Sequence, residues 1–498
     1  MTQRSTTQPR HGRQGQALLA SLVAALMVFI ALPPPLSNAA ELALTPCRID
    51  GVPEEVLCGR HEVYENRQAA SGRKISLNIA VLPALSQQPA PDPLFLLAGG
   101  PGQAATDLGA VALSNFRKVR AQRDIVLVDL RGTGDSNALD CEFDPGTLAG
   151  VSGEPLAPED FTECLDGLDA DVRFYTTDLA IDDLDEIRAG LGYEQVNLWG
   201  GSYGTRAAMV YLERHPQRVR SAVLDGLAPY DIKLPLFYAR DGQRALDLLL
   251  EDCASQASCR EAFPTLGEDL ERLLAELAGE PVEVAGRHPR TGEAMAITVT
   301  ADDFASNLRN FLYTPRQASL APFLIARAAG GDFAPYVAAS FETQRWSLDS
   351  MSLGLTLSVL CSEDLPRISD EDVQVAVENT FLGRLPVDTW RQMCEPWPRG
   401  QAPTRADEAL IFEAPALLLS GHLDPVTPPA WGDTVAQRFP DGRHVVVPGA
   451  AHNTLGSRCV QRLMADFIDA GSAADLDTSC VETVRRPPFV VGLAGAVP

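Results

Sequence analysis

From Val196 to Gly204 the chain reads Val-Asn-Leu-Trp-Gly-Gly-Ser-Tyr-Gly, a short apolar strand running straight into Gly200-Gly201-Ser202-Tyr203-Gly204. This G-x-S-x-G pattern constrains the fold more than any other stretch. A serine held on a sharp turn from strand to helix needs small neighbours, so that strand and helix can pass closely. A helical stretch from Ser202 to His215, closed by Pro216, follows at once. The start of such a helix also favours negative charge building up beside the serine.

The rest of the chain supplies a sheet for that turn. Ile75, Leu77, Ile79 and Val81 alternate with small or polar residues, the period of a half-buried strand. Leu94–Leu97, Ile125–Val128, Val196–Trp199, Ala222–Leu224, Ala416–Leu419 and Val445–Val447 are continuous apolar runs. Runs of that kind suit parallel strands covered on both faces. A helix is expected from Thr177, as its cap, with Ala180, Leu184, Ile187 and Leu191 on one face. Strand–helix alternation of this kind indicates a doubly wound, mostly parallel α/β sheet. The alternation stops after Asp225-Gly226 and resumes near Ala414. The stretch between is mostly helical in pattern, with a possible hairpin over Val282–Thr300, and reads as a cap inserted over the sheet's edge. The expected organisation is a leader at 1–39, a first core part at 40–227, a helical cap at 228–405, and a second core part at 406–498.

A serine hydroxyl is a weak nucleophile until a base takes its proton. On a sheet of this kind the acid and the histidine come later, in that order, each after a strand. Ala416–Leu419 leads to Asp424, and Val445–Val447 leads to His452. Asp424 is therefore expected to orient and stabilise the His452 imidazole, and His452 to act as base and then acid for Ser202. His444 precedes the last strand, at the wrong end of the sheet. His422, two residues before the acid, could line the site instead. An oxyanion needs two backbone donors. One is expected to be the N–H of Tyr203. The other is expected in Ala98-Gly99-Gly100-Pro101-Gly102, whose side-chain-free residues let backbone N–H groups reach a substrate; Pro101 cannot donate, and Gly100 is the candidate.

The first residues read as an export leader. Arg4, Arg10 and Arg13 precede an apolar run of 16 residues from Ala17 to Leu32, then Pro33-Pro34-Pro35 and Ser37-Asn38-Ala39-Ala40. Basic, apolar and small segments in that order are the layout of a secretory signal peptide, with cleavage expected after Ala39. No stable membrane anchor is expected after cleavage, and the destination is periplasmic or extracellular. The ten cysteines all follow residue 39, an even number that suits an oxidising compartment. The simplest connectivity joins sequence neighbours: 47–58, 141–164, 253–259, 361–394 and 459–480. No pair has the CxxC spacing of a zinc site, and neither metal nor cofactor is expected. Losing three of 41 basic residues and none of 66 acidic ones takes the net charge from −25 to about −28. That argues against nucleic acid or anionic lipid as a partner.

Taken together, Gly99-Gly100-Pro101-Gly102, Asp129-Leu130-Arg131-Gly132-Thr133-Gly134-Asp135-Ser136, Gly200–Gly204 and Gly421–Pro428 resemble the prolyl iminopeptidase and tripeptidyl aminopeptidase family. The resemblance covers about residues 70–230 and 400–480. It departs at Ala98, where many relatives have histidine, at Leu130, where many have glutamine, and at Ala451 and Asn453, where glycines usually flank the histidine. The resemblance implies an α/β-hydrolase fold with a helical cap. It also implies a serine peptidase that releases N-terminal residues from peptides with a free N-terminus. An ammonium there requires an acidic partner. In the cap, Glu363 and Asp364 of Cys361-Ser362-Glu363-Asp364 are the candidates, the alternative for two adjacent acids being a solvated surface. A broad esterase or amidase using the same three residues is the alternative activity.

Overall fold

The computed structural model describes residues 42–141, 157–287, 292–401 and 410–496, with backbone only for 344–349. The expected leader and the boundary between cap and second core part at 405/406 lie outside these residues.

Eleven strands matter for the site and its cap. They are β1 (Thr45–Cys47), β2 (Val56–Tyr64), β3 (Lys74–Leu82), β4 (Leu94–Leu97), β5 (Ile125–Val128), β6 (Val196–Gly201), β7 (Val219–Asp225), β8 (Val282–Arg287), β9 (Ala294–Val299), β10 (Ala416–Gly421) and β11 (Gly442–Val447). Nine of them form one sheet in the order β1-β2-β3-β5-β4-β6-β7-β10-β11. The pairs from β5 to β11 are parallel, and β1, β2 and β3 are antiparallel to their neighbours. This is the mostly parallel sheet expected. The antiparallel strand β1, at the sheet's edge, and its neighbour β2 lie outside the apolar runs, because their side chains are largely half-buried or exposed.

The parallel strands are mostly apolar because both faces are covered, and β4 and β5 are so throughout. Phe95, Leu97, Val126, Val128 and Leu198 join one core, while Leu94, Leu96, Ile125, Leu127, Trp199 and Leu417 join the other. Neighbours along each strand therefore go to opposite sides, and both sides are covered by apolar packing. The helices that bear on the site are α1 (Thr177–Gly190), α2 (Tyr203–Arg214), α3 (Tyr238–Ser255), α4 (Leu266–Gly279), α5 (Ala301–Phe311), α6 (Ala321–Ala329) and α7 (Leu353–Val359). Helix α1 corrects one expectation: its cap position is Thr176, and Thr177 is the first helical residue.

Between β7 and β10 the chain builds a separate core. Leu246, Leu249, Leu270, Leu273, Phe304, Leu308, Phe311 and Leu324, from α3 to α6, pack together. β8 and β9 pair antiparallel as the hairpin over Val282–Thr300. Phe489, close to the C-terminus, is fully buried in this cap core rather than in the core under the sheet.

Register brings four loops to one edge. Leu97 of β4 pairs with Gly200 of β6, Gly201 with Asp225 of β7, Leu419 of β10 with Asp225, and Gly421 with Val447 of β11. The segments that follow these strand ends carry Gly100, Ser202, Asp424 and His452.

Candidate active site

Ser202 occupies the turn from β6 to α2 with φ 56° and ψ −123°. A non-glycine residue at such an angle costs on the order of 1–3 kcal/mol and persists only where its surroundings impose it. They do so here. A β-carbon on Gly200 would strike the carbonyl of Gly204, and one on Gly204 would strike the carbonyl of Leu97. The first and last glycines of the pattern thus let β6, α2 and β4 pass at backbone distance. The Ser202 N–H donates to the Asp225 carbonyl at 2.9 Å.

Asp424 and His452 are brought together. His452 Nδ1 lies 2.9 Å from Asp424 Oδ2. The other Asp424 oxygen accepts the N–H groups of Val426 (2.7 Å) and Thr427 (2.9 Å), and the Thr427 hydroxyl donates to Oδ2 at 2.8 Å. Burial pushes the Asp424 carboxyl up, but the His452 charge and these hydrogen bonds hold it below the usual carboxylate range. The pair lies near the serine turn. A β-carbon on Gly226, next to the residue that holds Ser202 N–H, would lie 3.5 Å from His452 Cε1. One on Gly99 would lie 3.3 Å from Ser202 Cβ.

The glycine loop lies against the same serine. Gly100 and Gly102 have φ of 109° and 120°, and the Gly100–Pro101 bond is cis. The cap holds this loop: Ser352 N–H donates to Gly102 O at 2.9 Å, and the Thr356 hydroxyl donates to Pro101 O. Tyr203 is the first residue of α2, so its N–H has no partner within the helix.

His444 is half-buried between Ser420 Oγ (2.9 Å) and Asp433 Oδ1 (3.0 Å). The carbonyl of His422 accepts from Arg244 at 3.0 Å.

Glu363 and Asp364 are both buried, 1% and 0% exposed, and both are engaged by protein donors. Glu363 accepts Thr177 N–H at 2.7 Å and the Thr177 hydroxyl at 2.9 Å, which places an acid at the start of α1. The Thr177 hydroxyl also meets the Tyr203 hydroxyl at 2.6 Å. Asp364 takes a forked pair from Arg206 at 2.7 and 3.1 Å, plus Arg367 at 3.1 Å and Leu234 N–H at 3.0 Å. Burial opposes the Arg206 charge, but Asp364 outweighs it and raises its pKa.

Three further residues support this edge and carry no local sequence signal. Thr427 braces Asp424. Asp225 accepts Thr454 N–H on both carboxylate oxygens, at 2.9 and 3.0 Å, and so holds the histidine loop. Burial pushes the Asp225 carboxyl up to about 7, against the pull of those bonds. Tyr313, from the cap, accepts His452 N–H on its carbonyl at 3.0 Å. All ten cysteines pair as sequence neighbours, 47–58, 141–164, 253–259, 361–394 and 459–480. Among the described residues no group of three or more His, Cys, Asp or Glu side chains could hold a metal ion, and no helix is long and apolar enough to cross a membrane.

A family signature described as the alpha/beta hydrolase fold matches residues 92–457. The chain is 28% identical over 238 residues to the serine protease Hip1 of Mycobacterium tuberculosis, covering 43% of this chain and 45% of that protein. It is 30% identical over 225 residues to the putative hydrolase YuaR of Escherichia coli, covering 41% and 44%. The matched stretch thus spans less than half the length of either relative. Among solved structures, a proline iminopeptidase of Mycobacterium smegmatis aligns at 16% identity over 83% of this chain and 98% of its own, with a TM-score of 0.39. VinJ aligns at 16% identity over 82% and 98%, with a TM-score of 0.38.

Proposed function

The chain belongs to the α/β-hydrolase fold family, and from that premise we propose that it is an exported serine aminopeptidase with Ser202, His452 and Asp424 as its triad. The observation that carries this reading is the His452–Asp424 pair, bonded at 2.9 Å beside the loop whose Asp225 carbonyl holds the strained turn of Ser202. His452 takes the Ser202 proton through Nε2 as Oγ attacks the carbonyl. Asp424, held ionised by its donors, fixes the imidazole tautomer and stabilises its cation. The N–H groups of Gly100 and Tyr203 receive the oxyanion. His452 then protonates the departing amine, and water releases the acyl group by the same route. The similarity to a serine protease favours peptides as substrates.

One observation favours a broader esterase or amidase. An ammonium at Glu363 would have to displace Thr177, and Asp364, with four protein bonds, is the poorer amine partner. A fluorophosphonate tests the shared chemistry: the expected result is an adduct on Ser202, and its absence overturns the triad. Free and N-acetylated peptidyl naphthylamides, compared with nitrophenyl esters, test the specificity. Preference for the free amine supports the aminopeptidase, whereas equal cleavage of blocked peptides leaves the broader hydrolase. Export to a periplasm or the medium is supported by the basic-apolar-small start and by five disulfides. N-terminal sequencing of the mature protein is expected to begin at Ala40.

A further inference from the structure

The cap grips His452 in two ways. The Tyr313 carbonyl takes the His452 N–H at 3.0 Å, and the two rings meet edge to face with centroids 5.3 Å apart. Tyr313 lies just beyond α5 and is itself backed by Arg309. That guanidinium lies 5.4 Å from the Tyr313 ring centre and 4.2 Å from that of Tyr238. The C-terminal segment ties this part of the cap to the histidine loop. A β-carbon on Gly449, three residues before His452, would lie 2.5 Å from Arg485 Cα. Arg486 then donates to Asp252 of α3 at 2.8 Å, Phe489 enters the cap core, and Val490 N–H donates to the Ser319 carbonyl at 3.0 Å. Histidine loop, C-terminal strap and cap segment 313–319 therefore form a closed mechanical circuit.

On the reading of Ser202 and His452 given above, we infer that Tyr313 is a positioning residue for the reaction. Its carbonyl fixes the main chain of the base and its ring fixes the imidazole plane, so His452 is aligned on Ser202 only while the cap is seated. Asp424 holds the imidazole at Nδ1, and the Tyr313 ring packs edge to face against the same imidazole and adds a second restraint on its plane. The strap, through Phe489, keeps the cap in place.

A small fluorophosphonate needs the nucleophile, the base and the oxyanion donors, but makes no use of a peptide pocket. Its second-order rate of reaction with the full-length protein therefore separates positioning from substrate contact. Tyr313→Ala is expected to slow phosphonylation about 10- to 100-fold, the scale of a small misplacement of reacting groups. For a nitrophenyl ester, kcat is expected to fall with KM nearly unchanged. Tyr313→Phe, which keeps the ring, is expected to recover most of the rate. Phe489→Ala is expected to slow phosphonylation in the same direction. Phosphonylation of Tyr313→Ala at the wild-type rate, with only the peptide KM raised, would make Tyr313 a pocket wall and overturn the inference. Should Tyr313→Ala fail to fold by circular dichroism, Tyr313→Leu, which keeps the bulk without the ring, decides the matter by the same rate. If the wild type itself forms no adduct on Ser202, it is the triad reading that falls.

Discussion

Glu363 carries a proton balance at the junction of cap and sheet. Its carboxyl is fully buried, and its bonds from Thr177 join the cap to the first turn of α1. Burial pushes its pKa from 4.5 up to about 7, against the Arg206 charge and the Thr177 bonds that pull it down. The folded value is thus above the unfolded one, so the folded protein keeps a proton that the unfolded chain releases. The stability this confers is complete below about pH 4.5 and is lost as the pH rises through about 7. Each pH unit within that window is worth about 1.4 kcal/mol, so going from about pH 8 to about pH 5.5 adds roughly 2 kcal/mol at this one site. Glu363→Gln keeps the shape and can keep bonds to Thr177, but cannot ionise. Urea unfolding of both proteins at the two pH values, disulfides intact, measures the difference. The wild type is expected to gain about 2 kcal/mol more than the variant on acidification. Asp225, whose carboxyl is also raised to about 7, contributes equally to both proteins and cancels. Equal gains in wild type and Glu363→Gln would refute the buried, protonated carboxyl.

Asp424→Asn leaves the shape of the acid but presents His452 with a donor or a neutral acceptor; the rate of ester hydrolysis is expected to fall about a thousand-fold or more, with secondary structure unchanged by circular dichroism. Thr427→Val removes one of the bonds that hold Asp424 ionised, so kcat is expected to fall roughly 10-fold and the acid limb of the kcat/KM profile to move to higher pH. Gly204→Ala forces a methyl into the Leu97 carbonyl, and a loss of roughly 1–3 kcal/mol or more is expected in thermal unfolding. Replacing Cys361 and Cys394 by serine opens a loop of sequence separation 33 at the cap's base, with an expected loss of about 3–4 kcal/mol in urea.

What could be read from the sequence was local and steric. Continuous apolar runs identify strands covered on both faces, and glycines at 200 and 204 record backbones that touch, because no other residue fits. Since every parallel strand ends at the same edge, the order of strands alone places residues 100, 202, 424 and 452 together there. Strands β1 and β2 were not legible, because a half-exposed strand such as Val-Leu-Cys-Gly-Arg-His-Glu-Val-Tyr has no continuous apolar signature. Thr177 looked like a helix cap, and the N–H and hydroxyl concerned are indeed occupied, but by a carboxylate 186 residues away.

That distance explains why the cap resists reading. Glu363 and Asp364 stand out in the chain as two adjacent acids, yet nothing nearby says whether they meet solvent, substrate or protein. Their partners, Thr177 and Arg206, belong to helices on the sheet, and Arg206 is one turn beyond Ser202. Tyr313 likewise follows an unremarkable helix, and meets His452 where the strap from Arg485 to Val490 also joins cap and histidine loop. A side chain whose role depends on which surface folds over it leaves no periodic or spacing signal. The chemistry expected of Ser202 is written in its own pentapeptide, whereas the alignment of its base is written in a surface assembled from the cap and the C-terminal strap. Substitutions at those two places are therefore expected to change rate without touching any residue of the motif.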